Sequence, residues 1–175
     1  GGDPPSGTQG FRYYTVDMTL DGGLGAVVAG SEVNLSNGQE NRWTEKVTAV
    51  RQDDCGDYWV FSLVDNSRSI SDDFSTSDYS SVNWDTTSSW GSTFYAYRVS
   101  GSGVDLNPVR SKIPVDANEI KGYLKVSPNG EYIAIANYDY TLSKEAKSFL
   151  FSLDLNSGKI GEEDDLKFNL LPNQR

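Results

Sequence analysis

The stretch Tyr123–Ala136, "YLKVSPNGEYIAIA", sets two short apolar runs on either side of Ser-Pro-Asn-Gly. Pro fixes φ and Asn-Gly tolerates the positive φ of a tight turn, so the pattern predicts a β-hairpin. "KVTAVRQDDCGDYWVFSL", Lys46–Leu63, repeats the plan as strand, acidic turn and strand, with Val50 matching Val126 and Tyr58 matching Tyr132. Three further segments align without gaps: "YTVDMTLDGG" from Tyr14, "FYAYRVSGSG" from Phe94 and "FLFSLDLNSG" from Phe149. Each runs from an aromatic residue through an extended segment to a polar turn ending in Gly. Each is then followed by another extended candidate, "AVVAGSEVNL", "NPVRSKIPV" or "LKFNLLP".

In order, these pieces give two trailing strands and then two units of four strands. Four antiparallel strands repeated radially make a β-propeller blade, so the expected fold is all-β, with antiparallel four-stranded blades of an incomplete propeller. Residues 1–12 read as a linker and 13–42 as the last strands of a preceding blade. Residues 43–118 read as one blade interrupted by an insertion at 65–93, and 119–175 as another. Two and a half blades cannot close a ring, and their open faces would exceed the roughly 400 Å² of apolar surface a soluble monomer carries comfortably. The expected partner is therefore the remainder of a larger polypeptide or another chain. The start at "GGDPPSGTQG", without Met, fits an excerpted or processed piece.

Strand alternation is clear in one copy and ambiguous in the other. Phe149, Phe151, Leu153 and Leu155 share one apolar face, whereas Phe94, Ala96, Arg98 and Ser100 do not, which leaves Tyr95, Tyr97 and Val99 as alternative core residues there.

Composition narrows the function. Fifteen basic against twenty-five acidic residues give a net charge of -10, the wrong sign for nucleic acid or anionic membrane. No apolar run is long enough to span a bilayer as a helix. The absence of His removes Ser-His-Asp and Cys-His catalysis and imidazole metal sites, and the single Cys55 cannot form an intrachain disulfide.

The linked series "EKVTAV", "DYWVFSL", "SSWGSTFYAYRVSGSGVDLNPV" and "GYLKVSPNGEYIAIA" resembles the propeller-like region of large Bacteroidetes cell-surface proteins. These are cargo of the type IX secretion system, often described as gliding-motility-associated; "SPNGEYIAIA" also resembles WD40-like and TolB-like blades. The resemblance implies export across the outer membrane, display at the cell surface, and a passenger that binds rather than catalyses. It supplies no catalytic residues, and the long Ser/Asp insertion replaces a shorter connection in the resembling proteins.

Two chemistries remain for the loops. Asp72, Asp73 and Asp78 in the insertion, with hydroxyls around them, offer the oxygen ligands that calcium prefers, and no other cofactor is expected. Asp53, Asp54 and Asp57 crowd one turn, and Asp85 adds to the insertion; as paired carboxylates these would be the working groups of an extracellular carbohydrate-active enzyme, the alternative to a binding module. "DLNSG", Asp154–Gly158, has a passing likeness to a calcium loop, but its position between strands reads as a hairpin turn with Gly at positive φ. Tyr79, Trp84 and Trp90 are the candidate glycan-binding aromatics, while Trp59, inside a strand run, reads as core. Secretion components are the remaining candidate partners, should the chain act as cargo captured on its export machinery.

Overall fold

A computed structural model describes residues 10–36, 38–52, 56–65, 92–113, 122–137 and 148–161. Within them the chain is all-β and its sheets are antiparallel. It opens with a narrow ribbon in which β1 (Arg12–Tyr13) pairs with β4 (Val33–Asn34), and β2 (Val16–Asp17) pairs with β3 (Ala26–Val27). Arg12 and Tyr14 both bond the Glu32 carboxylate, which ties the two arms together.

Two meanders follow. The first runs β5 (Trp43–Arg51), β6 (Tyr58–Asp65), β7 (Ser92–Ser100), and then β8 (Gly103–Val104) and β9 (Val109–Ile113), which share the outer edge of β7 end to end. The second runs β10 (Gly122–Val126), β11 (Tyr132–Asn137), β12 (Ser148–Asp154) and β13 (Lys159–Ile160). The turns form as their residues dictate. In Ser-Pro-Asn-Gly, the Gly130 N–H donates to the Ser127 carbonyl at 2.9 Å with Gly130 at φ 72°, and Leu155 fills the space where a side chain on Gly130 would go. In "DLNSG" the Asp154 carboxylate accepts from the Asn156 N–H and the Ser157 hydroxyl, and Gly158 takes φ 70°. Those bonds hold the Asp154 carboxyl below the usual carboxylate range.

The two meanders bury one shared core. Trp59, Phe61, Leu63, Phe94, Ala96 and Ile113 of the first meet Leu124, Val126, Ile133, Ile135, Phe151, Leu153 and Ile160 of the second. Polar links cross the same seam: the Trp59 indole N–H donates to the Leu155 carbonyl at 2.7 Å, and the Ile160 N–H donates to the Ser111 hydroxyl at 2.9 Å. On its opposite face the first meander carries Trp43, Val64, Tyr95 and Tyr97, which pack against Leu35 and, in the ribbon, Phe11, Tyr13 and Val33. Phe11 stacks on Trp43 with centroids 4.9 Å apart. The layers are thus ribbon, meander, meander.

This layering explains why β7 does not alternate in sequence. Phe94 and Ala96 face one core while Tyr95 and Tyr97 face the other, so both sets are apolar. The repeat also acquires a measured register. Val50 lies opposite Trp59 as Val126 lies opposite Ile133, which upholds the match of Val50 with Val126 and of Tyr58 with Tyr132. The third strands differ from the gapless alignment: Trp59 faces Arg98 while Ile133 faces Phe151, so Arg98 corresponds to Phe151 and the alignment is displaced by two residues. A two-residue shift preserves which face a side chain takes, which is why the sequence pattern hid it. The described partner of β12 after its turn is Lys159–Ile160, the counterpart of Gly103–Val104; the expected strand at 166–172 lies outside the described residues.

Tyr97 offers a pH test of the ribbon's seat. Its buried hydroxyl donates to the Leu35 carbonyl at 3.1 Å, and burial, then Tyr95, push its pKa up to about 12, with Arg110 acting in opposition. A phenol that ionises near 10 when unfolded and near 12 when folded contributes stability that is complete below pH 10 and is lost as pH rises through about 12. Tyr97→Phe is expected to lower stability at neutral pH by about 1 kcal/mol and to flatten the decline above pH 10. Urea titrations of both proteins across that window check it; parallel alkaline slopes would contradict it.

Candidate functional site

The insertion at 65–93 begins and ends at one point of the first meander, because Asp65 closes β6, Ser92 opens β7, and the two are strand partners. Side chains alternate along a strand, so Asp65 shares the face of Phe61 and Leu63, and Ser92 that of Phe94 and Ala96. That face meets the second meander. Asp65 is 2% exposed and Ser92 is fully buried.

β5 brings Lys46 to the same face, 1% exposed, with Thr44 beside it. The Thr44 hydroxyl donates to the Leu63 carbonyl at 3.0 Å and accepts from the Lys46 N–H at 3.3 Å, while the Ser62 hydroxyl donates to the Lys46 carbonyl. Buried charges demand such polar company, since an unpaired one costs several kcal/mol, and Arg42, Lys46, Asp65, Ser92 and Thr93 are all partnered.

Gly122 makes room for the Lys46 side chain. A Cβ there would lie 2.7 Å from Lys46 Cε and would overlap the Ala136 carbonyl oxygen. Because Val50 corresponds to Val126, Lys46 corresponds to Gly122: the repeat places a long side chain in one copy against none in the other, where the first strands of the meanders meet. Lys46, Asp65 and Ser92 are thus buried polar residues on the face that meets the second meander.

The sequence reading did not single out Lys46, Asp65, Ser92 or Gly122. The available signal was a Lys at a core-face position of an alternating strand, Thr44-Glu45-Lys46-Val47-Thr48. The residues it did nominate, Tyr79, Trp84 and Trp90 for glycan and Asp72, Asp73 and Asp78 for calcium, lie outside the described residues, as do Asp53, Asp54 and Asp85. Of the nominated carboxylates that are described, Asp57 pairs with Arg98 at 2.6 Å and Asp154 serves its own turn. Trp59 is core, as its place in the strand run implied. Among the described residues no group of three metal-binding side chains converges.

Two surfaces stand out away from these residues. The outer face of the second meander presents Tyr123, 81% exposed, with Lys125 and Tyr132 exposed beside half-buried Ala134, Ala136 and Leu150. At the far end of the ribbon, Val16, Met18, Leu24 and Val27 are exposed. No family model, curated protein or solved structure matches the chain.

Proposed function

We propose that this chain is a non-enzymatic binding or structural module made of propeller blades, part of a large exported protein displayed at the cell surface by type IX secretion. The carrying observation is that the first meander is covered on both faces, by the ribbon through Tyr95 and Tyr97 and by the second meander through Phe94 and Ala96. A blade in the middle of a stack has this environment, with the ribbon in the place of a preceding blade's last strands. Further blades, from the remainder of a longer polypeptide or from another chain, would then cover the outer face that carries Tyr123, Ala134 and Ala136. Recognition falls to the rim loops, foremost the insertion rooted on Asp65 and Ser92. Its Tyr79, Trp84 and Trp90 would meet a glycan, and its Asp72, Asp73 and Asp78 would take calcium if the loop needs a cation.

Ala134→Glu tests the stacking. It places a carboxylate on the open face of β11 without touching the shared core. In the longer polypeptide, or with the completing chain present, it is expected to lower the midpoint of thermal unfolding by several degrees, as burying an unpaired charge requires. In the chain by itself the change is expected to be small. Equal, negligible effects in both settings would defeat the blade reading.

A further inference from the structure

We infer that Asn129–Gly130 is a site of spontaneous deamidation that the folded β10–β11 turn holds closed, and that the product loosens the hairpin permanently. Asn-Gly is the least hindered pair for this reaction, because Gly sets no side chain against the approaching carboxamide. Asn129 is exposed, so solvent supplies the base and the water that the reaction needs. Hydroxide takes the Gly130 amide proton; the nitrogen then attacks Asn129 Cγ, and the new N–C bond closes a succinimide. The Cγ–Nδ2 bond breaks, and Nδ2 leaves as ammonia with a proton from water, which restores the hydroxide. Water then opens the ring at one carbonyl or the other, leaving an aspartyl or an isoaspartyl residue. The net change is one water consumed and one ammonia released.

The fold engages both reacting groups. The Gly130 N–H donates to the Ser127 carbonyl at 2.9 Å, and Gly130 is buried against Leu155. The Asn129 carboxamide is tied at both ends. Its Oδ1 accepts from the Ser127 hydroxyl at 2.6 Å and from the Glu131 N–H at 3.3 Å, and its Nδ2 donates to Glu131 Oε2 at 2.5 Å. The Ser127 hydroxyl oxygen also accepts from the Tyr132 N–H at 3.0 Å, so one side chain braces the whole turn. The donors on Oδ1 make Cγ more electrophilic, which works toward reaction. Loss of the amide proton comes first, however, and a proton held in a formed turn is lost only when the turn opens. Protection therefore outweighs activation, and deamidation runs at the pace of local opening. Once made, the product resists reclosure. A carboxylate at position 129 faces that of Glu131 where a donor stood, and an isoaspartyl link adds a methylene that displaces Gly130 from the Ser127 carbonyl. The strands so loosened carry Leu124, Val126, Ile133 and Ile135 into the shared core. The proposal is independent of the blade reading, since it needs only this turn.

The test follows the whole chain at mildly alkaline pH, in buffer and in concentrated urea, by peptide mapping and mass spectrometry. The sequence holds a second Asn-Gly pair, Asn37–Gly38, and mapping separates the two. At Asn129 the folded chain is expected to deamidate at least about tenfold more slowly than the chain in urea. Ser127→Ala and Pro128→Ala each loosen the turn, the first by removing the brace and the second by freeing φ. Both are expected to raise deamidation and Gly130 hydrogen exchange in parallel, by about threefold or more. Circular dichroism checks that each variant folds. In the deamidated chain, isolated by ion exchange, the Gly130 and Tyr132 amides are expected to exchange faster than in the parent. Three results overturn the proposal. Equal rates in buffer and urea would mean that the turn gives no protection. A variant in which deamidation and exchange fail to rise together would remove opening as the governing step, and slowed deamidation in Ser127→Ala would assign that part to activation of Cγ by the hydroxyl. Unchanged exchange in the deamidated chain would mean that the turn recloses over its product.

Discussion

Trp59→Ala is expected to destabilise the fold by about 3–5 kcal/mol, the range for emptying a large aromatic position in a packed core. Trp59 is 6% exposed and lies at the seam where the meanders share their core. Three effects converge there. The indole ring fills the interlayer space; its N–H donates to the Leu155 carbonyl at 2.7 Å; and its ring atoms lie 2.9 Å from where a Cβ on Gly158 would sit. Trp59→Phe separates them: it keeps most of the apolar area and strands the carbonyl, for an expected loss of about 1–2 kcal/mol. Gly158→Ala should destabilise from the other side, through the ring contact and the strain of φ 70°. Urea unfolding monitored by circular dichroism gives all three values. If Trp59→Ala cost less than about 1 kcal/mol, the meanders would have to be independent units rather than layers over one core.

The parts of this architecture that sequence made legible are those written in local chemistry. Ser127-Pro128-Asn129-Gly130 and Asp154 to Gly158 announce their turns through residues that accept positive φ, and Phe149, Phe151 and Leu153 announce a face through period-two alternation. Both turns and the face form as read. Strand order within each meander follows, since strands consecutive in sequence tend to pair as neighbours, here even β6 with β7 across the insertion. Burial on two faces was less legible: Tyr95 and Tyr97 look like an alternation error until the ribbon is seen to cover them. Register along the third strands was not legible at all, because Arg98 and Leu153 have the same parity as Arg98 and Phe151. The nominated loop residues, Trp84 and Asp72 among them, rested on composition, which places no side chain next to another. The buried polar residues Lys46, Asp65 and Ser92 come from three strands, and only the sheet puts them on one face.

Gly122→Ala is expected to cost about 2–4 kcal/mol, an unusual penalty for adding one methyl group. Gly122 has φ 151°, outside the ordinary range for L side chains, and the added Cβ would overlap the Ala136 carbonyl across the β10–β11 pair while pressing on Lys46 Cε. Backbone overlap and side-chain pressure respond differently to a second change. Lys46→Ala removes the lysine stem and leaves the carbonyl in place, so in the double variant only the part owed to Lys46 disappears. The expected signature is a coupling of about 1 kcal/mol: the double variant is less damaged than the two single losses added together, yet well below the parent in stability. Strict additivity would show that Gly122 answers to backbone geometry alone and that the large-against-small match between the repeat positions has no energetic role. Coupling would instead make Gly122 part of what seats Lys46 on the face it shares with Asp65 and Ser92. The same substitution would then be expected to raise hydrogen exchange at Asp65 and Ser92, where the loop is anchored, more than at the distant Ser127–Gly130 turn.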